Sequence, residues 1–170
     1  MKKHTSICAF IVILFSSYAM AGTWTTFDKP GLLASGTQAF GISGNRIVGE
    51  YYDSASQRHS FIYNQGSWTD IPSNPWTSEA TVVDISGKYI VSTYDVFYPG
   101  GFGLLYDGST WTKLQMPGAI ETAVYGIDGD KVVGSYMLTG NKIHGFIYTI
   151  PEPCTLLLFG LGAGILLKKQ

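Results

Sequence analysis

The side chains in this sequence of 170 residues that could act as bases or ligands include two recurring histidines. His59 and His144 each lie four residues before a tyrosine, Tyr63 and Tyr148 respectively. Imidazole titrates near neutral pH, so either histidine could serve as a general base or a ligand. A third segment of the same pattern has Phe102 in place of the histidine. A position that accepts phenylalanine is more typical of packing, so a structural role is favoured.

Three carboxylates, Glu50, Asp53 and Asp95, lie near predicted strand ends. Glycoside hydrolysis needs two carboxyl groups that converge at about 5 to 9.5 Å, and nothing in the spacing separates these three from solvated turn residues. The segment 128–130, Asp-Gly-Asp, suggests a calcium loop, but a full loop needs ligands spread over about twelve residues. No nucleophile elbow, phosphate-binding loop or metal-ligand cluster is present. We therefore predict no catalytic residue, no metal and no cofactor.

Aromatic side chains are the other candidates, because they could stack on sugar rings if they face outward. Three tryptophans recur at a regular interval: Trp24, Trp68 and Trp111. A symmetric core would require the same recurrence, and a core role is favoured for them. Trp76 and Tyr98 fall outside the regular pattern, in predicted loops. Together with Glu50 they are the candidates for surface binding, with a polysaccharide as the possible partner.

These residues must be positioned by a segment that the chain repeats three times. Its glycines Gly44, Gly87 and Gly129 lie 43 and 42 residues apart, and a fixed period of this size indicates a repeat architecture. Each copy contains four runs rich in valine, isoleucine and aromatic residues, separated by turn-forming residues. In the first copy these runs cover residues 39–42, 46–52, 60–64 and 67–71. We predict an all-β domain of three repeats, near 23–64, 67–107 and 110–149, each with about four short antiparallel strands.

The two ends of this domain complement each other. The tryptophan run at 23–28 has no tyrosine run before it, and the last tyrosine run, 145–149, has no tryptophan run after it. We predict that they pair and close the repeats into a propeller-like ring, which removes exposed sheet edges. Three copies are few for a propeller of four to eight blades. A threefold β-trefoil-like barrel is the alternative, and assembly of two chains would also resolve the shortage.

Residues 1–21 are typical of a secretory signal peptide. Two lysines precede an apolar run at 7–15, and Ala19 and Ala21 form a small-x-small cleavage site. The apolar run is shorter than the roughly 20 residues of a membrane span. We expect an N-terminal signal helix that signal peptidase removes after Ala21.

Residues 151–170 form a second targeting segment. Pro151, Glu152 and Pro153 precede an apolar run that ends at Leu167, followed by two lysines. As a helix, residues 154–167 would cover about 21 Å, less than the roughly 30 Å hydrocarbon core of a bilayer. The lysines should stay cytoplasmic by the positive-inside rule. An ordinary C-terminal anchor is the weaker alternative.

This tail resembles the PEP-CTERM sorting signal of Gram-negative bacteria, with the motif at Pro151, Glu152 and Pro153. The resemblance implies recognition by an exosortase, transient anchoring of a hydrophobic helix in the inner membrane, and removal of the tail. Delivery to the cell surface or to an exopolysaccharide matrix would follow.

The three copies resemble bacterial extracellular HAF-type repeats, whose units carry a Gly-Ile-x-Gly turn, a Val-Gly-x-Tyr strand and a His-Gly-Phe-x-Tyr strand. The third copy, at residues 144–148, fits best. The second copy departs from the pattern, with Phe102 in place of the histidine and Ser92 in place of the glycine.

The expected mature domain, residues 22–150, is long enough for one domain with its own core. It carries seven basic and eleven acidic side chains, a net charge of −4, and no basic cluster. This balance argues against nucleic acid as a partner. We expect an exported surface or matrix protein that acts as a structural or interaction module. A lectin-like carbohydrate-binding protein or a carbohydrate-active enzyme is the alternative.

Overall fold

The structure, a computed structural model, describes residues 22–30, 36–94 and 100–152. The predicted signal peptide with Ala19 and Ala21, the loop residue Tyr98, and residues 153–170 with Pro153 lie outside the described residues. The predicted helices at the two ends fall in those same segments. Over the described ranges, no helix has the length and apolar character that a membrane crossing requires.

The described chain is all-β, as predicted, and contains eleven strands. They are β1 (Thr37–Ser43), β2 (Arg46–Tyr52), β3 (Arg58–Asn64), β4 (Ser67–Asp70), β5 (Thr81–Ser86), β6 (Tyr89–Tyr94), β7 (Phe102–Tyr106), β8 (Trp111–Leu114), β9 (Glu121–Asp128), β10 (Lys131–Leu138) and β11 (Lys142–Thr149). They form three antiparallel sheets in chain order: β1 to β4, β5 to β8, and β9 to β11. Each sheet contains one copy of the glycine turn, but the sheets are offset by one strand from the predicted repeats, because β4 and β8 complete the sheet that precedes them.

The same tight turn joins the first two strands of every sheet. Its first residue is Gly44, Gly87 or Gly129, with φ of 59°, 53° and 56°. A positive φ at the first central residue is what a type II′ hairpin turn requires, and glycine adopts it without steric cost. The period seen in the sequence is therefore the period of these turns.

Every first strand also carries a β-bulge at the same place, three residues before the end of the strand. The extra residue is Phe40 in β1, Val83 in β5 and Tyr125 in β9. A bulge leaves one residue out of the ladder and increases the local twist. Because the bulge recurs, the three sheets share one shape and can stack on one another.

The second sheet lies between the other two and is buried on both faces. Ile90 and Tyr106 pack with Val48 of the first sheet in one core cluster. Val91 and Leu105, their neighbours in sequence, pack with Val132 of the third sheet in the other cluster. Successive side chains of a strand point to opposite faces, so the first and third sheets pack on opposite faces of the second. All five residues of β7 are buried for this reason.

The predicted pairing of the tryptophan run at 23–28 with the last strand is not found. Residues 22–29 form no strand, and Trp24 is 100% exposed. The reason is that Phe27 contacts the first sheet instead, with its ring 5.0 Å from Tyr63 and 5.8 Å from Trp68. The described strands do not close into a barrel, so the trefoil-like alternative does not hold either. Over the described residues the three sheets form an open stack.

Candidate functional site

A cleft of about 860 Å³ opens between the first and second sheets, beneath the segment 71–80 that connects them. Its lining combines aromatic rings, such as Tyr52, Tyr94 and Trp111, with polar side chains of the connecting segment, such as Asn74. Aromatic surfaces with a few convergent polar groups are the usual composition of a small-molecule site. The cleft is therefore the candidate functional site of the described residues.

The connecting segment is held in place by hydrogen bonds of its own. The side-chain oxygen of Asn74 accepts hydrogen bonds from the backbone N–H groups of Trp76 and Thr77, both at 3.0 Å. Trp111 of β8 donates its indole N–H to the carbonyl oxygen of Pro72 at 2.9 Å. These hydrogen bonds fix the conformation of the connecting segment on this side of the cleft.

His59 lines the cleft and lies beside a carboxylate. Its Nε2 is 2.9 Å from Oδ2 of Asp53, and its ring stacks on Tyr51 at 5.0 Å. The hydrogen bond with His59 holds the pKa of Asp53 below its ordinary value, assisted by the backbone N–H of Gln57. Asp53 also accepts the N–H groups of Ala55 and Gln57, both at 2.8 Å. The pair therefore stabilises the turn between β2 and β3.

The equivalent positions in the other sheets support the packing role predicted for the histidines. His144 stacks on Tyr136 at 5.2 Å in the third sheet. In the second sheet Phe102 takes this place and contacts Tyr94 at 5.1 Å. The shared feature is an aromatic pair across the second and third strands, which either ring type can make.

Asp70, at the end of β4, lies at the rim of the cleft within a small charged cluster. Lys29 Nζ is 2.7 Å from Asp70 Oδ1 and lies 3.8 Å above the ring of Tyr51, whose hydroxyl donates to Asp70 at 3.1 Å. Burial raises the pKa of Asp70, but the hydrogen bond and charge of Lys29 and the hydroxyl of Tyr51 outweigh it, so the pKa is lowered. This cluster fixes residues 27–29 to the first sheet.

Glu50, which we predicted at a binding surface, is 4% exposed and lies inside the protein. Its Oε1 accepts the backbone N–H of Val82 at 3.2 Å, and its Oε2 lies 3.7 Å from Nη1 of Arg58. Burial raises the pKa of Glu50, opposed by the charge of Arg58 and the N–H of Val82. The prediction of a surface role for Glu50 is wrong.

The contact that Glu50 makes has a counterpart one repeat later. Thr93, which corresponds to Glu50, accepts the N–H of Val124 at 3.4 Å. Val82 and Val124 both lie directly before the bulge residue of their strand. A polar side chain of one sheet thus takes up the N–H beside the bulge of the next sheet. Glu50 is therefore a structural link between sheets.

The structure describes two of the three residues predicted to share a binding surface, Trp76 and Glu50, and neither lines the cleft. Trp76 is 46% exposed and belongs to the connecting segment, but it does not line the cleft. Glu50 is buried, and Tyr98 lies outside the described residues. Of the sorting motif, Pro151 and Glu152 are described and both are exposed.

The cleft contains one residue that sequence reasoning did not select, Ser92 of β6. It is 1% exposed, and its hydroxyl has no hydrogen-bond partner among the described residues. Buried polar groups are nearly always paired, so an unpaired one calls for an explanation. Gly49 and Gly134 take its place in the other two sheets, and this departure from the repeat is the signal that could have identified it.

The carboxylates of the described chain are dispersed. Across 22–30, 36–94 and 100–152 the structure shows no group of three or more histidine, cysteine, aspartate or glutamate side chains placed to hold a metal ion. At the suspected calcium loop, Asp130 pairs with Lys131 at 2.8 Å and Gly129 has the positive φ of a hairpin turn. The segment is thus a turn, which is the interpretation that the sequence favoured.

Comparison of the chain with protein-family models, with curated proteins and with solved structures gives no match. Its function is therefore inferred from the chemistry of its own residues.

Proposed function

We propose that the chain is an exported protein of the cell surface or of an exopolysaccharide matrix, and that its stacked β-sheets act as an interaction or structural module. Signal peptidase and an exosortase are its processing partners. The proposal draws on the sequence of the two ends, which carries both targeting patterns. On this proposal the folded domain stays intact when the tail is removed.

One structural observation carries this proposal. Ile150, one residue after β11, is buried in the core shared by the second and third sheets, and its N–H donates to the carbonyl of Asp130 at 2.8 Å. The next two residues, Pro151 and Glu152, are exposed. The described core thus extends to the residue directly before the motif.

Mass spectrometry tests this proposal. The chain is expressed in a Gram-negative host that has an exosortase and in the same host without it. The mature protein should begin near Gly22 and lack residues 156–167 only where the exosortase is present. Replacement of Pro151, Glu152 and Pro153 by alanine should leave the tail in place, whereas Thr149→Ala, an exposed change just outside the motif, should not. A mature form that keeps Leu156 in the exosortase-containing host would overturn the proposal.

A second candidate function, saccharide binding, draws on the cleft. Its aromatic walls can stack on sugar rings, and its serine and asparagine side chains can bond to hydroxyl groups. A ligand rich in hydroxyl groups fits this combination better than an anion does, since two carboxylates, Asp70 and Glu79, line the cleft against one arginine, Arg58.

A glycan array and a hydrolase screen on residues 22–152 separate the possible roles. Saturable binding without turnover supports the lectin-like role, and turnover supports the enzyme. Tyr94→Ala, at a partly exposed ring that lines the cleft, should reduce binding at least tenfold, whereas Ser67→Ala, at an exposed position of β4, should leave it unchanged. If no glycan binds, the saccharide hypothesis fails and only the module role remains.

A further inference from the structure

Among the described strands, the third sheet has no counterpart of the outer strands β4 and β8. In the first and second sheets the third strand pairs on its outer side with β4 or β8. Its counterpart β11 pairs with β10 alone among the described strands. Ile143 and Ile147 on β11 are 70% and 72% exposed. An open strand edge with apolar side chains is a template for pairing with another strand.

The segment around Trp24 has the sequence of the missing strand. Residues 23–25, Thr-Trp-Thr, match Ser-Trp-Thr at 67–69 in β4 and Thr-Trp-Thr at 110–112 around the start of β8. The distance to the next glycine turn also matches: 20 residues from Trp24 to Gly44, 19 from Trp68 to Gly87, and 18 from Trp111 to Gly129. By this spacing, Trp24 belongs to the outer strand of a sheet that precedes the first one.

The position of Phe27 agrees with that assignment. Phe27 corresponds to Ile71, which follows β4 and shares a core cluster with Tyr106 of the next sheet. Phe27 stacks on Tyr63, the counterpart of Tyr106, at 5.0 Å. Phe27 thus contacts the first sheet in the way that Ile71, which follows the outer strand β4, contacts the second sheet. Among the described residues, no strand precedes β1 that could pair with this segment.

A cavity beside β11 has the lining that a tryptophan of this strand requires. In the second sheet, the ring of Trp111 lies 5.0 Å from Tyr106, and its indole N–H donates to the carbonyl of Pro72. By the repeat spacing, the counterparts of Tyr106 and Pro72 around the third sheet are Tyr148 and Gln115. Both line a cavity of about 330 Å³ between β8 and β11. An indole in this cavity would find its stacking ring and its carbonyl acceptor in place.

The chain's own Trp24 cannot reach this cavity while Phe27 stays on the first sheet. The second sheet separates the first from the third, and packed sheets lie about 10 Å apart, so the third sheet is about 20 Å from the first. Three residues of extended chain span about 10 Å at most. We propose that the third sheet binds residues 22–28 of a second copy of this chain, with that copy's Trp24 in the cavity between β8 and β11.

The exposed faces of the end sheets fit the same arrangement. Val133 and Ile147 of the third sheet correspond to Val91 and Leu105, which are buried against the next sheet. Ile42 of the first sheet is 66% exposed and corresponds to Ile85, which is buried against the preceding one. The second copy's first sheet therefore stacks on the third sheet as consecutive sheets do within the chain. Two copies joined at both ends form a closed ring of six sheets, within the usual range for propellers.

A disulfide between two chains tests the register. In the full chain with Cys8 and Cys154 replaced by serine, Thr25→Cys is placed in one copy and Ile147→Cys in a differently tagged copy. Thr25 corresponds to Thr112, which pairs with Leu105, the counterpart of Ile147. Paired residues of antiparallel strands have Cα atoms within disulfide range. Mild oxidation should link the two chains. The matched control, Ile143→Cys, is equally exposed on the same strand but about 13 Å further along it, and it should not link.

Self-association of the full chain in mild detergent gives an independent measurement. Trp24→Ala should weaken dimerisation at least tenfold in sedimentation velocity, and Trp76→Ala, the matched exposed tryptophan, should not. Trp24 makes no contact in the free chain that folding requires, because it is fully exposed. A strictly monomeric chain, or equal linking by Ile143→Cys, would overturn the proposal. So would an intramolecular disulfide in the monomeric Thr25→Cys/Ile147→Cys chain, which would instead show closure within one chain. This inference does not depend on the proposed function.

Discussion

Replacement of Ser92 by alanine should stabilise the protein. The Ser92 hydroxyl is 1% exposed and has no hydrogen-bond partner among the described residues. Burial of an unpaired polar group costs about 1–3 kcal/mol. Alanine keeps the Cβ and removes only the oxygen, and a gap of that size costs at most about 1 kcal/mol. We expect the free energy of unfolding to rise by about 1 kcal/mol, which corresponds to about 4 °C in Tm for a domain of this size.

Gly134 is the counterpart of Ser92 in the third sheet, and its replacement by alanine should destabilise the protein. A Cβ added to Gly134 would overlap the carbonyl oxygen of Ala123 and lie 2.8 Å from the ring of Phe146. Overpacking of this kind costs typically about 1–3 kcal/mol, so Gly134→Ala should lower Tm by about 4–12 °C. Leu104 faces Ser92 where Phe146 faces Gly134. Phe146→Leu should therefore recover part of the loss.

Urea and thermal unfolding of residues 22–152, followed by circular dichroism, measure both changes. Loss of more than about 0.5 kcal/mol in Ser92→Ala would refute the assignment of its hydroxyl as unpaired. An unchanged Tm in Gly134→Ala would refute the tight contact in the third sheet.

Three further changes test the links between sheets and the charged groups. The pKa of Glu50 is raised, so its contribution to stability is full below about pH 4 and is lost as the pH rises through the folded-state pKa. Glu50→Gln should therefore make the free energy of unfolding less dependent on pH between pH 4 and 7. Urea titration at each pH measures this dependence. The pKa of Asp70 is lowered, so its pair with Lys29 contributes above about pH 4 and is lost in acid. Asp70→Asn should cost less than about 1 kcal/mol at pH 7, and nothing near pH 2 or in 1 M salt. Asp84→Ala removes the carboxylate that accepts the N–H of Ile127 at 3.0 Å and should cost about 1–3 kcal/mol in chemical denaturation; a neutral result would mean that water takes over this bond.

The strands could be predicted from the sequence because their signals are local. The run at 46–52 is bounded by the turn at Gly44 and by Asp53, and it is β2 with the same bounds. The recurrence of the glycine turn made the three sheets predictable before any contact was known. Each sheet is a meander of neighbours in the chain, so its pairing needs little long-range information.

The predictions that were wrong or missed concern contacts between segments that are distant in the sequence. Pairing of residues 23–28 with the last strand depends on where the first and third sheets lie, and the repeat pattern does not contain that distance. The burial of Glu50 was missed because a single glutamate is usually exposed. The polar residues at the equivalent positions, Thr93 and Ser135, were the available signal. The cleft was missed because it joins residues of two sheets.

The hydrogen bonds of Glu50 to Val82 and of Thr93 to Val124 join consecutive sheets at one fixed place beside each bulge. Every repeat of 42 or 43 residues therefore carries both groups of this link between sheets. The side-chain acceptor lies on its second strand, and the backbone N–H donor lies on its first. Gene duplication could lengthen such an array without new joining chemistry. Deletion of the middle repeat would place Glu50 opposite Val124, and the hydrogen bond between sheets could still form. The number of units in a protein of this design is thus open to evolutionary change, provided that each new unit keeps both groups of this link.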